Sequence, residues 1–383
     1  MLETSRSDVD AVEPAAITSK PPHIVLVVAG LGAGGAERVI SLLSGEWAAR
    51  GRVVTIVAFD SPDAPIFHRL HPAVRVVRLG ISAGGPNPLK GLWTVAKRYR
   101  ALKQALGALE PDIIISFLTK INVLTLLACL GTDRRVIVSE RNNPRLQHAS
   151  CLWTTLLARL HWRADAIIMQ TRKSCECLGA KARARACVIP NPIDIDPTIG
   201  AARASFTLSA TGRLTWQKGF DMLIDAFATI ADRHPQWTLA IWGEGEARDA
   251  LKRQIESYRL SERVQLRGNS RSPGDWVGQS DAFVMSSRYE GFGNALGEAM
   301  AAGLPVVSFD CDYGPSDMID DEHDGLLVRP NNVPGLAAAL DRLLSDEELR
   351  VRLGKAAATT AKRFRPRVII GEWDRMLAEL GVA

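Results

Sequence analysis

The sequence predicts an α/β protein made of two Rossmann-like, doubly wound domains that face each other across a cleft. Short apolar runs of strand length alternate with helical stretches, a proline-rich break interrupts them midway, and the alternation then starts again. The chain has 383 residues, which suits two domains of ordinary size. With 46% hydrophobic and 23% charged residues, each half can bury a core.

The first strand is read at residues 23–29, an unbroken apolar run of the kind a parallel strand covered on both faces requires. It breaks at Gly30-Leu-Gly-Ala-Gly-Gly35, and a helix is expected over 36–50. Further strands fall at 53–59, 74–79, 112–117, 135–139 and 166–170, with helices at 89–109, 122–130 and 152–162. Val188-Ile-Pro-Asn-Pro-Ile-Asp194 sets two prolines around an asparagine and makes a stiff, non-helical connector. Beyond it, strands are expected at 205–211, 237–242, 264–267, 281–285, 305–309 and 325–328. Helices are expected at 220–233, 247–258, 294–302 and 333–344, with an amphipathic one at 367–380. The division is therefore a disordered leader at 1–22, a first Rossmann-like domain at 23–190 and a second at 191–366. The tail at 367–383 is expected to pack back on the first domain.

No apolar run approaches the roughly 20 residues that a membrane span needs, and the acidic, polar start lacks the layout of a secretion signal. Six cysteines, with Cys175 and Cys177 the closest pair, read as reduced thiols in a cytoplasmic protein. Residues 1–195 hold 25 Lys/Arg and 15 Asp/Glu, a balance of +10, whereas the remainder holds 22 and 27, a balance of −5. One basic domain beside an acidic one points to an anionic partner for the first.

Gly30-x-Gly32-x-x-Gly35 follows a strand, opens a helix and has Asp60 at the end of the next strand. That is the layout of a dinucleotide-binding fingerprint, in which glycines let backbone N–H groups approach an anion. Alone it signals a phosphate or sugar near the loop more than it signals NAD. Thr211-Gly-Arg-Leu-Thr-Trp-Gln-Lys-Gly-Phe220 sits at the carboxyl end of the second domain's first strand, where open α/β sheets bind ligands. Arg213 can fork onto a diphosphate and Lys218 can meet it as a point charge. Gly243-x-Gly245 ends another strand. Glu290 precedes the turn Gly291-Phe292-Gly293, and Glu298 lies one helical turn into the helix that begins near Asn294 and Ala295. The free N–H groups of that turn suit an anion or sugar oxygens, and the two carboxylates can hold different parts of one ligand.

In these motifs the chain resembles glycosyltransferase family 4, whose members have the two-domain B-type fold. The resemblance covers nearly all of residues 23–383 and is specific in Arg213/Lys218, Gly243-x-Gly245, Glu290-x7-Glu298 and Asp324-Gly-Leu-Leu-Val328. It implies that Arg213 and Lys218 bind the donor diphosphate, that Glu290 contacts the donor sugar and that Glu298 contacts the ribose. It further implies that Gly34 and Gly35 close over the donor from the opposite domain. Members similar to this chain also carry Ser139-Glu-Arg-Asn142 and extend lipid-linked or exopolysaccharide glycans. Many relatives place a histidine near the sugar after the strand that is here 136–139; Glu140, Arg141 and Asn142 stand there instead, as candidate contacts to acceptor or donor sugar.

The resemblance implies retention of the anomeric configuration, no cofactor beyond the nucleotide-diphosphate sugar, and no metal. A UDP-hexose or UDP-N-acetylhexosamine is the favoured donor, with GDP-mannose the other. Asp310-Cys-Asp312 has the D-x-D form of a metal motif but sits on the wrong fold for that role. The expected acceptor is a polyprenyl-diphosphate-linked glycan. Lys90, Trp93, Lys97, Arg98, Arg100 and Lys103 on one helix, with Leu92 and Leu102, suit peripheral contact with the anionic cytoplasmic face of the inner membrane. Cys151-Leu-Trp-Thr-Thr-Leu-Leu157 adds an apolar patch and Lys181-Ala-Arg-Ala-Arg185 more charge, and no nucleic-acid motif appears. Three other readings remain at this level: a non-hydrolysing sugar-nucleotide epimerase, an NAD-dependent dehydrogenase resting on Gly30–Gly35 and Asp60, and, outside enzymes, a catalytically idle sugar-binding subunit.

Overall fold

A computed structural model describes residues 21–32, 34–81, 88–141, 151–195, 206–270 and 274–382. The leader through residue 20 and Asn142 lie outside them, as does the side chain of Lys90. The first domain runs β1 (His23–Val28), α1 (Gly35–Ala49), β2 (Val53–Ala58), β3 (Arg75–Arg78), α2 (Pro88–Leu109), β4 (Ile113–Phe117) and α3 (Thr119–Ala128). It continues with β5 (Arg135–Ser139), α4 (Cys151–Leu160), β6 (Ala166–Met169), the single turns α5 (Arg172–Cys175) and α6 (Ala180–Arg183), and β7 (Ala186–Val188). Its seven strands are all parallel, in the order β3-β2-β1-β4-β5-β6-β7.

The second domain runs β8 (Thr207–Thr211), α7 (Phe220–Ala228), β9 (Thr238–Trp242), α8 (Arg248–Ser257), β10 (Val264–Gly268), β11 (Ala282–Met285) and α9 (Asn294–Ala301). After these come β12 (Val306–Phe309), α10 (Pro315–Met318), β13 (Leu326–Val328), α11 (Val333–Ser345), α12 (Glu347–Thr360) and α13 (Pro366–Glu379). Six parallel strands follow the order β10-β9-β8-β11-β12-β13. The two doubly wound domains read from the sequence are both present.

The unbroken apolar runs have a simple cause. Along β1, Ile24, Leu26 and Val28 enter the core beneath α1, while Val25 and Val27 enter the core beneath α2, α3 and α4. A strand covered on both faces has no polar side to show.

Besides the single-turn helices α5, α6 and α10, three elements depart from the expectation. β7 extends the first sheet where a connector was expected to begin, and at three residues it carries almost no periodic signal. The helix α12 was passed over, although Asp346 caps it by accepting the Leu349 N–H at 2.8 Å. Its inward face mixes Leu349 and Leu353 with Gly354 and Ala357, so the apolar period is faint. The helix expected at 220–233 stops at Ala228 and gives way to a 3₁₀ turn over Ala231–Arg233.

The terminal helix α13 lies on the first sheet. Trp373 is fully buried, meets Trp47 edge-on at 6.3 Å between ring centroids, and shares a core with Ile24, Leu43 and Phe117. Asp374 accepts from Trp47 Nε1 at 2.9 Å and pairs with Arg50 and Arg52. The chain thus crosses between domains twice, once at 189–195 and once before α13.

His161, in the 3₁₀ turn after α4, is buried, and burial holds its imidazole down at about 4. The unfolded chain takes that proton first, near pH 6.5. Its contribution is therefore full above the unfolded value and is lost as pH falls from about 6.5 to about 4, by about 3 kcal/mol. Urea denaturation across that range should show wild type losing more stability than His161→Phe. Equal losses would exclude His161 as a source of the acid sensitivity.

Candidate active site at the facing strand ends

In an open parallel sheet, ligands bind beyond the carboxyl ends of the strands at the point where the strand order reverses. That point lies between β1 and β4 in the first sheet and between β8 and β11 in the second. The loops leaving β1, β8 and β11 are the ones that carry Gly30–Gly35, Arg213/Lys218 and Glu290.

The second domain's loops rest on one another through their backbones. A Cβ at Gly243 (φ +136°) would strike the Gly212 carbonyl oxygen, so the loop after β9 can lie against the loop after β8 only with glycine there. The contact is fixed by hydrogen bonds from Gly212 N to Trp242 O (3.0 Å) and from Leu214 N to Glu244 O (2.9 Å). Gly219 (φ +61°) repeats the device, with the Ser286 carbonyl oxygen where its Cβ would stand. Arg288 braces the outside of the loop. It forks onto Asp221 at 2.9 and 2.6 Å, donates to the Trp216 carbonyl at 2.6 Å and stacks on the Trp216 ring at 4.7 Å.

Within this frame Lys218 Nζ meets Glu290 Oε1 at 2.7 Å, and Ser287 Oγ donates to the same oxygen at 2.6 Å. Glu290 is buried, and its own N–H donates to the Asp312 carbonyl at 3.2 Å. Arg213 stands exposed on the same loop as Lys218. After Glu290 the chain turns through Gly291, Phe292 and Gly293 into α9, whose first intrahelical bond runs from Gly297 N to Gly293 O. The N–H groups of Asn294, Ala295 and Leu296 therefore have no partner inside the helix. Glu298, in the next turn, is buried, and burial pushes its carboxyl up against the opposing pull of Arg38.

The first domain closes the seam from the other side. Gly35 approaches Asn294 so closely that a Cβ would stand 2.7 Å from its Nδ2, and Gly34 caps α1 directly before it. Asn191 in the connector donates from Nδ2 to Asn294 Oδ1 at 2.7 Å. Arg172 N donates to Asp317 Oδ1 at 3.1 Å, and Cys177 Sγ and Tyr313 Oη lie 2.6 Å apart.

Glu140 is buried at the end of β5, accepting from Thr119 Oγ1 at 2.7 Å and Asn122 Nδ2 at 2.5 Å. Arg141 is enclosed between Phe117 and Trp373, and its NH1 donates to Asn191 Oδ1 at 2.7 Å. Burial pulls its guanidinium down to about 9. It is thus held inside the domain joint rather than displayed on a wall of the cleft. Asp60 accepts the Leu31 N–H at 3.1 Å and pairs with Arg78 at 3.2 Å, so the acid of the dinucleotide fingerprint is bound to its own loop. Asp324 is structural: it accepts from Asp320 N at 2.8 Å and from Thr360 Oγ1 at 2.6 Å.

The sequence reading missed Arg38, Asn191 and Ser287. Arg38 and Asn191 act across the seam, on partners 260 and 103 positions away, and no local pattern marks them. Ser287 stands three residues before Glu290, a spacing that reads as an ordinary loop serine.

Comparison with known proteins agrees with the two-domain fold. The family model described as "Glycosyltransferase Family 4" matches residues 33–197, and "Glycosyl transferases group 1" matches residues 199–360. The chain belongs to glycosyltransferase family 4. It is 29% identical over 358 residues to the N-acetylgalactosamine-N,N'-diacetylbacillosaminyl-diphospho-undecaprenol 4-alpha-N-acetylgalactosaminyltransferase of Campylobacter jejuni, covering 88% of this chain and 94% of that one. It is 31% identical over 283 residues to a Streptomyces coelicolor exopolysaccharide phosphotransferase, covering 73% of this chain but spanning only 30% of that relative's length. Among solved structures, sucrose-phosphate synthase of Thermosynechococcus elongatus superposes with a TM-score of 0.80 at 21% identity, covering 94% of this chain and 99% of that one. HepE of Anabaena, crystallised with UDP-glucose, superposes with a TM-score of 0.76 at 23% identity, covering 94% and 100%.

The glycine contacts make a direct prediction. Gly243→Ala should cost about 1–3 kcal/mol, from strain at a positive φ and the backbone clash. Gly371→Ala, in α13 with nothing within 4 Å of its added methyl, should instead raise stability by about 0.5–1 kcal/mol. Urea midpoints of the two variants measure both. A Gly243→Ala midpoint equal to wild type would mean that the loop contact is dispensable.

Proposed function

We propose that the protein is a retaining glycosyltransferase that moves a hexosyl unit from a nucleotide-diphosphate sugar to a lipid-linked or polysaccharide-precursor acceptor. The observation that carries this reading is the meeting of Lys218, Glu290 and the open N–H groups of α9 on one lip of the cleft, with Glu298 one helical segment further on. UDP-hexose or UDP-N-acetylhexosamine is the favoured donor, supported by the UDP-glucose bound in the HepE structure and by the N-acetylgalactosaminyl transfer named for the Campylobacter relative. GDP-mannose is the other.

Arg213 and Lys218 hold the diphosphate, the α9 turn faces its oxygens, Glu290 orients the sugar and Glu298 accepts from the ribose. Glu290 is already engaged by Lys218 and Ser287, which suits a group that holds hydroxyls rather than one that attacks carbon. In the reaction the bond from the anomeric carbon to the donor phosphate oxygen breaks as the bond to the acceptor oxygen forms on the same face. The acceptor's proton passes to the departing phosphate. Fixed cations aimed at that developing charge supply the main rate acceleration, so no metal ion is required.

The acceptor proposed is a polyprenyl-diphosphate-linked glycan, in line with the undecaprenol diphosphate named for the Campylobacter relative. Lys97, Arg100 and Lys103 on α2 are exposed, together with Leu92 and Trp93, and Leu152 at the start of α4 is 72% exposed. These groups suit peripheral contact with an anionic bilayer surface. Arg98 and Leu102 do not contribute: Arg98 lies over Phe59 and donates to the Ile81 carbonyl at 2.8 Å, and Leu102 is buried. Arg183 and Arg185 donate to carbonyls of their own domain, Leu178 and Trp162 among them. No helix among the described residues is long and apolar enough to cross a membrane.

Thermal denaturation with UDP and GDP, chelator present throughout, tests the donor site. One nucleotide should raise the wild-type midpoint in proportion to occupancy. Lys218→Ala should weaken that nucleotide by tenfold or more, about 1.4 kcal/mol. No shift until the chelator is replaced by a divalent metal, or a shift unchanged in Lys218→Ala, would overturn the assignment.

A further inference from the structure

Arg38 belongs to α1 of the first domain, yet its guanidinium ends on the second. NH1 donates to Glu298 Oε1, and NH2 donates to the Asp194 carbonyl in the connector at 2.5 Å. The pair is well enclosed, with side-chain exposures of 17% for Arg38 and 9% for Glu298. Burial works against an ionised Glu298, and Arg38 and the Trp276 side chain both work in its favour. A buried carboxylate that loses its cation becomes an uncompensated charge or takes up a proton.

The geometry leaves Glu298 free to do more than pair with Arg38. A carboxylate offers about four lone-pair sites on its two oxygens. Arg38 and Trp276 account for two of them, so two hydroxyl donors can still be accepted. A protonated carboxyl would accept fewer and would itself become a donor. The planar guanidinium also fixes direction, because its second arm is anchored to the connector backbone.

We infer that Arg38 completes the ribose subsite from the opposite domain, as a positioning residue that holds Glu298 aimed at the vicinal diol of a nucleoside diphosphate. This rests on the reading of Glu298 as the ribose-holding carboxylate. It adds that the nucleoside end of the donor is fully gripped only when the two domains are in contact. Donor affinity and domain closure are then linked, and the link runs through one side chain that also holds the connector.

The test is calorimetric titration of the full chain with UDP and 2′-deoxy-UDP, or with GDP and 2′-deoxy-GDP where GDP is the nucleotide that binds. Wild type should prefer the ribonucleotide. Arg38→Gln should weaken the ribonucleotide about tenfold and the deoxynucleotide far less, so that the preference collapses. Arg38→Lys keeps the charge without the fork and should fall between the two, and it serves equally well if Arg38→Gln proves unstable. Equal weakening of both nucleotides would reduce Arg38 to a general packing contact and overturn the inference. Tighter ribonucleotide binding in Arg38→Gln would make Arg38 a competitor of the ribose and overturn it as well. A wild type that binds ribo- and deoxynucleotide with equal affinity, the binding still lost in Lys218→Ala, would refute the ribose subsite while leaving the diphosphate site intact.

Discussion

Backbone-to-backbone contact between the strand-end loops of the second sheet is the constraint from which the rest of the site follows. Gly243 lies against the Gly212 carbonyl and Gly219 against that of Ser286, so the loops after β8, β9 and β11 touch where any side chain would hold them apart. The closeness of the loops after β8 and β11 is what allows Lys218 to reach Glu290 at 2.7 Å from a neighbouring strand end. It also brings the free N–H groups of α9 to the same lip. Arg288, clamped on Asp221 and lying on Trp216, holds the outer side, so the cationic loop is positioned before any ligand arrives.

The charges of the site are balanced in advance. Lys218 faces Glu290 and Arg38 faces Glu298, so neither buried carboxylate stands alone in a low-dielectric environment. Arg213 is the exposed member of the set. A diphosphate held as proposed would meet one cation in water and a second already committed to a carboxylate. Lys218 can serve both anions because its ammonium has three donors.

The fold was legible because its main signal is local. Each strand of a doubly covered sheet reads as an apolar run, as along β1, where successive residues enter opposite cores. Elements without that signal escaped: three-residue β7, and α12 with its faint inner face. The candidate site was half legible for the same reason. Arg213, Lys218, Glu290 and Glu298 stand out by their spacing within two loops and the helix α9 that follows the second. Arg38 and Asn191 act on residues 260 and 103 positions away, and only the packed pair of domains brings them there. Arg141 shows the converse. It looked like a group for an acceptor phosphate, but its neighbours Phe117 and Trp373 come from a distant strand and from the last helix, and together they enclose it.

That last helix also bears on how the halves divide their work. α13 follows the second domain in sequence but contributes Trp373 to the core of the first, so the connector at 189–195 and the crossing before α13 run side by side. Ile193 N donates to the Phe364 carbonyl at 2.7 Å, which ties the two crossings together. Arg141 and Arg38 then grip the connector from the first domain, at Asn191 and at Asp194. The first 195 residues carry +10 and the remainder −5, so the charge of the two halves favours their contact at short range. A nucleotide diphosphate held as proposed in the acidic half would add to that attraction.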